Sequence, residues 1–384
     1  MTAQKNILFI HHVSCLAGAE KYLISVIENL DKKFKCFFIC QEPGPLATAL
    51  ENLGVTTHFM KLRAWRKFKN FLANTATVKT LVQYCRENDI HLICSNSYRV
   101  TPYAVSAAKK LGIPSVSVIH DFVDNDKLKK FFVFKSSLVI GVSESVCCHI
   151  RKDFSGNITH VYNGIDAEKF GSDFSRDDPF RTDAFREEFK ISKETKILGM
   201  VANFIPLKGH KVFLEAAKIA MQRFEDTVCV IVGDSPDANQ LSLKDLQDFA
   251  DMIGIPDKVI FTGQREDVAS IISSFDVLVH PANREAFGRV IIEAMALGVP
   301  VVATRSGGPE EIMQHRESGL LAPVNNSKEI AKHIMSLLID EGRRISFGLK
   351  GQERVKQIFT LDKTVKKFNE LFDTCLILKK HERP

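Results

Sequence analysis

Two glutamates, Glu285 and Glu293, stand eight positions apart in the stretch HPANREAFGRVIIEAMALGVPVVAT (His280–Thr304). A small-residue turn, Ala286-Phe287-Gly288, lies between them. Apolar runs, VLVH (Val277–His280) and VPVVAT (Val299–Thr304), lead in and out. The pattern predicts strand, loop, helix and strand, with acidic groups where the helix begins. A helix start presents unpaired N–H groups and about half a positive charge, which suits a phosphate. Glutamates beside such a cradle do not bind phosphate; they accept hydrogen bonds from sugar hydroxyls. An anion cradle flanked by hydroxyl acceptors is what a sugar nucleotide needs. Glu285 is also explained as an acid that stabilises the helix dipole by ~0.3–1 kcal/mol. Glu293 is not, because it falls within the helix among Val290, Ile291, Ile292, Ala294 and Met295. A carboxylate there needs a partner, and ribose hydroxyls are one.

Other candidates also follow predicted strands. In SCLAGAEKYL (Ser14–Leu23) a glycine turn opens a helix, a place for close approach of a ligand to backbone. In VIHDFVDND (Val118–Asp126) His120 ends a strand, where ligands of open α/β sheets collect. Asp124 and Asp126 spell Asp-x-Asp, a pattern able to hold a metal; they read here as a solvated loop. GMVANFIPLKGH (Gly199–His210) sets Lys208 and Gly209 after another strand, and a lysine suits a diphosphate as a compact point charge. Gly233, in VIVGDSP, and Gln264 and Arg265, in FTGQREDV, sit in strand-end loops. On their own they read as ordinary turns.

The elements that must position these residues alternate short β-branched runs with helical patterns, the rhythm of βαβ units and a parallel sheet. Strands are predicted at Ile7–Ile10, Phe37–Cys40, His91–Ser95, Ser115–Ile119 and Leu138–Val142. A second series runs Ile197–Val201, Val228–Val232, Val259–Phe261, Val277–His280 and Val299–Ala303. A helix is expected from Ala19 to Asn29. After Asn325 two helical segments are expected, the last from about Leu361 to Leu376. The polar stretch Gly171–Asp183 reads as the connection between two halves.

Length and composition agree with two soluble domains: 384 residues, 45% hydrophobic and 26% charged. No apolar run approaches the ~20 residues that span a bilayer. The initial ILFI run ends at His11-His12 without a small-residue cleavage site and is expected to be a strand, not a signal peptide. Nine scattered cysteines without a CxxC pair read as reduced thiols, with no disulfide frame or zinc site. Net charge is +6, and residues 1–170 carry 22 basic and 14 acidic side chains, so the first half is the basic one. Two segments there, 60–71 and 127–135, mix lysines and arginines with aromatics. They suit an anionic membrane surface, an anionic acceptor or nucleic acid, or an amphipathic helix with its aromatics in the core.

Taken together, these motifs resemble the retaining, nucleotide-sugar-dependent glycosyltransferases of family 4 (group 1 glycosyl transferases). The signature is Glu, seven residues, Glu, then Gly-Val-Pro-Val-Val and a Gly-Gly turn: here Glu285, Glu293, Val299–Ala303 and Gly307-Gly308. Gly18, Ala19 and Glu20 match the family's Gly-Gly-Ala-Glu loop, with Ala17 replacing the first glycine. VYNGIDAEKF (Val161–Phe170) matches a segment that ends the first domain.

The resemblance implies an α/β fold of GT-B architecture, two facing Rossmann-like domains with an interdomain cleft. The domains are expected at 1–172 (acceptor-binding, with a C-terminal helix at about 361–384 packing back on it) and 196–360 (nucleotide-sugar-binding), joined by a linker region at 173–195. His120, Lys208 and Glu285 are implied at the reacting centre. Gly18, Asn203, Lys208, Gly233, Arg265, Phe287, Gly288, Arg289 and Glu293 are implied around the donor. The family usually has an arginine at the position of Asn203, so one cation is missing; Arg265, Arg289 or Arg305 are substitutes. The implied donor is a nucleotide diphosphate sugar, UDP favoured, with no cofactor and no metal. The implied acceptor is a hydroxyl of a glycan or lipid-linked molecule of cell-envelope polysaccharide or lipopolysaccharide synthesis. No nucleic acid partner is expected. The implied location is cytoplasmic, with peripheral contact at the inner face of the membrane. Rival readings are a non-catalytic sugar-nucleotide-binding protein, a sugar-nucleotide epimerase of the same fold, and a nicotinamide-dependent oxidoreductase. The absence of GxGxxG counts against the last.

Overall fold

The computed structural model describes residues 4–63, 65, 71–123, 132–166, 184–235 and 240–381. The chain divides into two compact units: Met1–Gly164 with Leu361–Pro384, and Ile165–Thr360. The first passes to the second at Gly164, short of residue 172. Of the expected linker region 173–195, the described residues 184–195 belong to the second unit. Residues 167–183, with the polar stretch 171–183, lie outside the described residues. The short helix Ala184–Glu188 already belongs to the second unit, with Phe185 buried and Arg186 donating to the Ser192 and Thr195 carbonyls at 2.6 and 2.9 Å. The first and last residues of this unit pair with each other through an Ile165–Thr360 bridge.

The first unit is built on a parallel sheet: β1 (Lys5–Ile10), β2 (Phe34–Cys40), β3 (Thr56–Phe59), β4 (Ile90–Ser95), β5 (Ser115–Ile119), β6 (Leu138–Gly141) and β7 (Ile158–His160), in the order β3-β2-β1-β4-β5-β6-β7. Because strand side chains alternate, β1 sends Ile7 and Phe9 into one core and Leu8 and Ile10 into the other. Tyr22 and Leu23 of the helix Gly18–Asn29 cover the first face. Leu81, from the helix Phe71–Glu87, and Tyr103, from Thr101–Leu111, cover the second. The terminal helix Leu361–His381 belongs to this unit. Its Phe372 ring packs against Phe9, Phe34 and Phe368 at 6.1, 5.9 and 5.6 Å, and Lys33 Nζ meets Asp373 at 2.6 Å.

The second unit holds a six-stranded parallel sheet: β8 (Lys196–Val201), β9 (Thr227–Val232), β10 (Val259–Gly263), β11 (Val277–His280), β12 (Val301–Thr304) and β13 (Leu320–Ala322), ordered β10-β9-β8-β11-β12-β13. β12 starts two residues later than the sequence suggests. The Val299 N–H is spent on the Ala294 carbonyl, closing the preceding helix, and Pro300 has no N–H to donate. Three helices follow Asn325 rather than two: Ser327–Ile339, Glu341–Ile358 and Leu361–His381. The first two abut at Asp340, whose side chain caps the second by accepting from the Arg343 N–H at 2.8 Å. Such a junction leaves no gap in the helical pattern to read.

Among the described residues no helix is long and apolar enough to cross a membrane. The basic-aromatic segments lie partly outside those residues (66–70 and 127–131). Their described aromatics are half-buried and touch other rings. Trp65 packs on Tyr103 and Phe132 at 5.4 and 5.0 Å, and Phe134 stacks on Phe154 at 4.8 Å.

Candidate active site

Both sheets reverse their strand order once, and a doubly wound sheet leaves a crevice at such a point, beyond the carboxyl ends of its strands. In the second unit the reversal falls between β8 and β11. The loop after β8 carries Lys208; the loop after β11 carries Glu285. Lys208 ends a short 3-10 turn (Pro206–Lys208), and Gly209 then turns the chain into the helix His210–Met221. Gly209 has φ +79°, and a Cβ there would stand 2.2 Å from the Pro281 carbonyl oxygen. Only glycine lets the two loops approach this closely. The Asn283 N–H fixes their register by donating to the Leu207 carbonyl at 2.8 Å.

The result is an ion pair: Lys208 Nζ donates to Glu285 Oε2 at 2.6 Å, and His280 Nε2 donates to the same oxygen at 2.9 Å. Burial alone would raise the Glu285 carboxyl. The Lys208 charge and the His280 hydrogen bond outweigh it and hold Glu285 well below the usual carboxylate range. The backbone of Glu285 is fixed as well. Its N–H donates to the Ser306 carbonyl at 3.0 Å and its carbonyl accepts from the Gly308 N–H at 2.9 Å. A Cβ on Gly308 would lie 2.3 Å from Phe287 Cα, so the Gly307-Gly308 turn is a close-approach device as well.

Phe287 and Gly288 lead into the helix Arg289–Ala296. Phe287 is buried with its ring 6.0 Å from Phe359, so its side chain is structural and only its backbone can serve the site. Gly288, at φ +101°, is the helix cap and supplies no side-chain bond to the helix start. Glu293 has a protein partner that the sequence argument did not foresee. Arg289 Nε donates to Glu293 Oε1 at 2.9 Å, one helical turn away. The carboxylate is therefore satisfied without ribose.

The remaining candidates of this unit also fall at strand ends. Asn203 follows β8 and is exposed; Gly233 follows β9 at φ +140°, where a Cβ would meet the Ala202 carbonyl oxygen at 2.1 Å. Gly233 is thus explained by backbone packing. Gln264 is exposed beyond β10. Arg265, beside it, is held by Asp267 at 2.9 Å and by both oxygens of Glu188 at 2.7 and 2.9 Å. Arg305 pairs with Glu310 at 3.7 Å. Each arginine considered as a substitute for the missing cation beside Asn203 carries a carboxylate of its own.

In the first unit the order reverses between β1 and β4. His11 follows β1, Asn96 follows β4 and His120 follows β5. His11 Nε2 meets Glu20 Oε1 at 2.7 Å, and Glu20 Oε2 accepts from the Ala17 N–H at 3.1 Å, so a buried pair holds the loop that carries Gly18. Nothing stands within 4 Å of a Cβ built on Gly18, so packing does not demand glycine there. His120 Nε2 donates to Asn96 Oδ1 at 2.8 Å, and Asn96 Nδ2 donates to the Ala19 carbonyl at 3.4 Å. Burial, with the His11 charge adding to it, pushes His120 down to about 3. The ring is therefore neutral, with Nδ1 as its acceptor. His12 is pushed down to about 4, chiefly by burial. Asp124 and Asp126 lie outside the described residues, among which no cluster able to hold a metal ion occurs.

Sequence reasoning missed His11, Asn96 and His280. The histidines were readable as polar residues closing apolar strands; Asn96 had no signal beyond its place after β4.

Two family models match the chain: Glycosyltransferase Family 4 over residues 16–169 and Glycosyl transferases group 1 over residues 181–354. The fold is that of GT-B proteins, and the chain belongs to the family 4, group 1 glycosyltransferases. It is 31% identical to the N-acetyl-alpha-D-glucosaminyl L-malate synthase of Bacillus anthracis over 64% of this chain and 62% of the relative. It is 32% identical to a D-inositol 3-phosphate glycosyltransferase of Corynebacterium urealyticum over 56% and 50%. The chain thus matches between half and two thirds of the length of these relatives. A capsular polysaccharide biosynthesis glycosyltransferase, CapM of Staphylococcus aureus, is 25% identical over 65% and 64%. Among solved structures, Anabaena Alr3699/HepE in complex with UDP superposes with a TM-score of 0.84, at 22% identity, covering 96% of this chain and 100% of that one. The same protein has been solved with UDP-glucose.

Proposed function

We propose that this protein is a retaining glycosyltransferase that moves a sugar from a nucleotide diphosphate sugar, UDP-linked by preference, to a hydroxyl of a cell-envelope glycan or lipid-linked acceptor. The observation that carries the reading is the Lys208–Glu285 pair at the strand-order reversal of the second sheet. The UDP complexes of a protein with the same fold support the choice of base. The name of the capsular polysaccharide relative supports the acceptor class. A cytoplasmic location belongs to the same proposal.

The chemistry follows the charge. As the bond from sugar to phosphate breaks, negative charge grows on the departing diphosphate. Lys208 and the backbone N–H groups around Phe287–Arg289 are assigned to meet it, a preorganised stabilisation that needs no metal. Glu285 accepts hydrogen bonds from hydroxyls of the donor sugar. Glu293 turns from Arg289 to the ribose, which frees the guanidinium for phosphate. That exchange supplies the cation missing beside Asn203. Neutral His120, with Nδ1 free to accept, is assigned to orienting a substrate hydroxyl. The leaving phosphate oxygen takes the acceptor proton, so no protein base is assigned.

The test is a transfer assay with UDP-sugars and envelope glycan fragments, reading the product's anomeric configuration by NMR. Transfer with the donor's configuration kept supports the reading. Inverted product removes the retaining mechanism, and nucleotide-sugar binding without turnover favours the non-catalytic binder. Interconversion of the donor without an acceptor favours the epimerase.

A further inference from the structure

Glu285 receives two hydrogen bonds, and both arrive at one oxygen. Lys208 Nζ lies 2.6 Å from Oε2 and His280 Nε2 lies 2.9 Å from it; among the described residues Oε1 receives none. The two donors differ in kind. Lys208 reaches the carboxylate from the end of a flexible stem, with its side chain 28% exposed. The His280 side chain is 3% exposed, and its backbone is locked in the ladder between β11 and β12, paired with Ala303. One donor can leave and the other cannot.

This difference matters on the function proposed above, on which the inference rests. There Lys208 serves the diphosphate. A lysine drawn toward two phosphates loosens its hold on Oε2. Without a second donor the carboxylate of Glu285 would then be free to rotate. We propose that His280 is the positioning residue of this site. It holds Oε2 after Lys208 has turned to the diphosphate, so that Oε1 stays presented to a hydroxyl of the donor sugar. His280 touches neither sugar nor phosphate; it acts through Glu285 alone. The other residues of β11, Val277, Leu278 and Val279, are apolar, so His280 is the one side chain of this strand able to hold a carboxylate.

The test separates the sugar from the diphosphate. UDP and UDP-glucose are titrated calorimetrically into the wild type, His280→Leu and His280→Gln; leucine removes the donor and glutamine restores an N–H at similar reach. UDP affinity is expected to stay within about twofold in His280→Leu, because Oε2 lies behind the sugar contact. UDP-glucose affinity and kcat are expected to fall about tenfold, and His280→Gln is expected to recover most of that loss. Equal weakening of both ligands, no change in either, or a glutamine variant no better than leucine overturns the proposal. If His280→Leu does not fold, His280→Asn, whose amide is too short to reach Oε2, takes its place against His280→Gln with the same expectations. If the wild type binds UDP but gains nothing from the attached glucose, the assignment of Glu285 to the sugar falls, and this inference with it. Binding and turnover by the wild type with no effect at position 280 overturns the inference alone.

Discussion

At the residue scale the decisive fact is that Glu285 is charged, enclosed and held by two donors. Removing one partner of such a pair leaves an uncompensated charge, which costs more than the pair itself contributes. Lys208→Ala is therefore expected to destabilise the second unit by ~1–3 kcal/mol, reduced from the fully buried case because the lysine is partly exposed. Urea denaturation checks this. Turnover is expected to fall by about 10²–10³, the usual effect of removing one donor aimed at developing negative charge. Glu285→Gln, neutral and still able to bond, is expected to keep stability within ~1 kcal/mol while losing sugar recognition. Equal turnover in wild type and Lys208→Ala would contradict the assignment. The sequence showed Glu285 and Lys208 through their types and spacing. It did not show that they touch, because 77 residues separate them and only folding brings β8 beside β11.

At the scale of elements the site depends on glycines that let loops close on one another. Gly209 and Gly254 share a left-handed backbone, φ +79° and +77°, yet a Cβ at 209 strikes the Pro281 carbonyl while one at 254 meets open space. Gly254→Ala is expected to cost only about 1 kcal/mol, the backbone penalty for alanine in this region. Gly209→Ala is expected to cost ~2–4 kcal/mol and to part Lys208 from Glu285, because clash adds to strain. Thermal melts of the two variants, with UDP binding as a second readout, compare them. Similar behaviour would refute the close-approach argument. The terminal helix offers a similar comparison: Phe372→Ala deletes a fully buried ring and is expected to cost ~3–5 kcal/mol, seen in the same melts. Central strands were legible because burial on both faces makes them continuous apolar runs. The edge strands β3 and β7 were not; they are short and half exposed, so no such run marks them.

At the scale of the whole molecule, three histidines make stability sensitive to acid. Burial is the main cause that pushes His120 down to about 3, and His12 and His210 to about 4, against 6.5 for a free side chain. Between pH 6.5 and 4 the unfolded chain binds protons that the folded chain refuses. Stability is therefore full above pH 6.5 and falls as pH drops toward 4. Melting temperatures at pH 7.5 and pH 5 check the sign; a flat or rising profile toward acid would contradict it. The doubly wound halves, and with them the strand ends that carry His120 and the loops of Lys208 and Glu285, were readable from the alternation of apolar runs and helical patterns. Pairings such as Arg289–Glu293 and Asn96–His120 were not, because helix pitch and strand order decide them rather than residue type.

The most direct test of the central claim is a metal-free thermal shift of wild type, Lys208→Ala and Glu293→Ala with UDP, GDP, ADP and NAD. A nucleoside diphosphate at 100 times its dissociation constant adds ~2.7 kcal/mol of stability. The account predicts that shift for the wild type with a nucleoside diphosphate, UDP first, and its loss in both variants. Stabilisation by NAD alone, or an undiminished shift in Lys208→Ala, would contradict it.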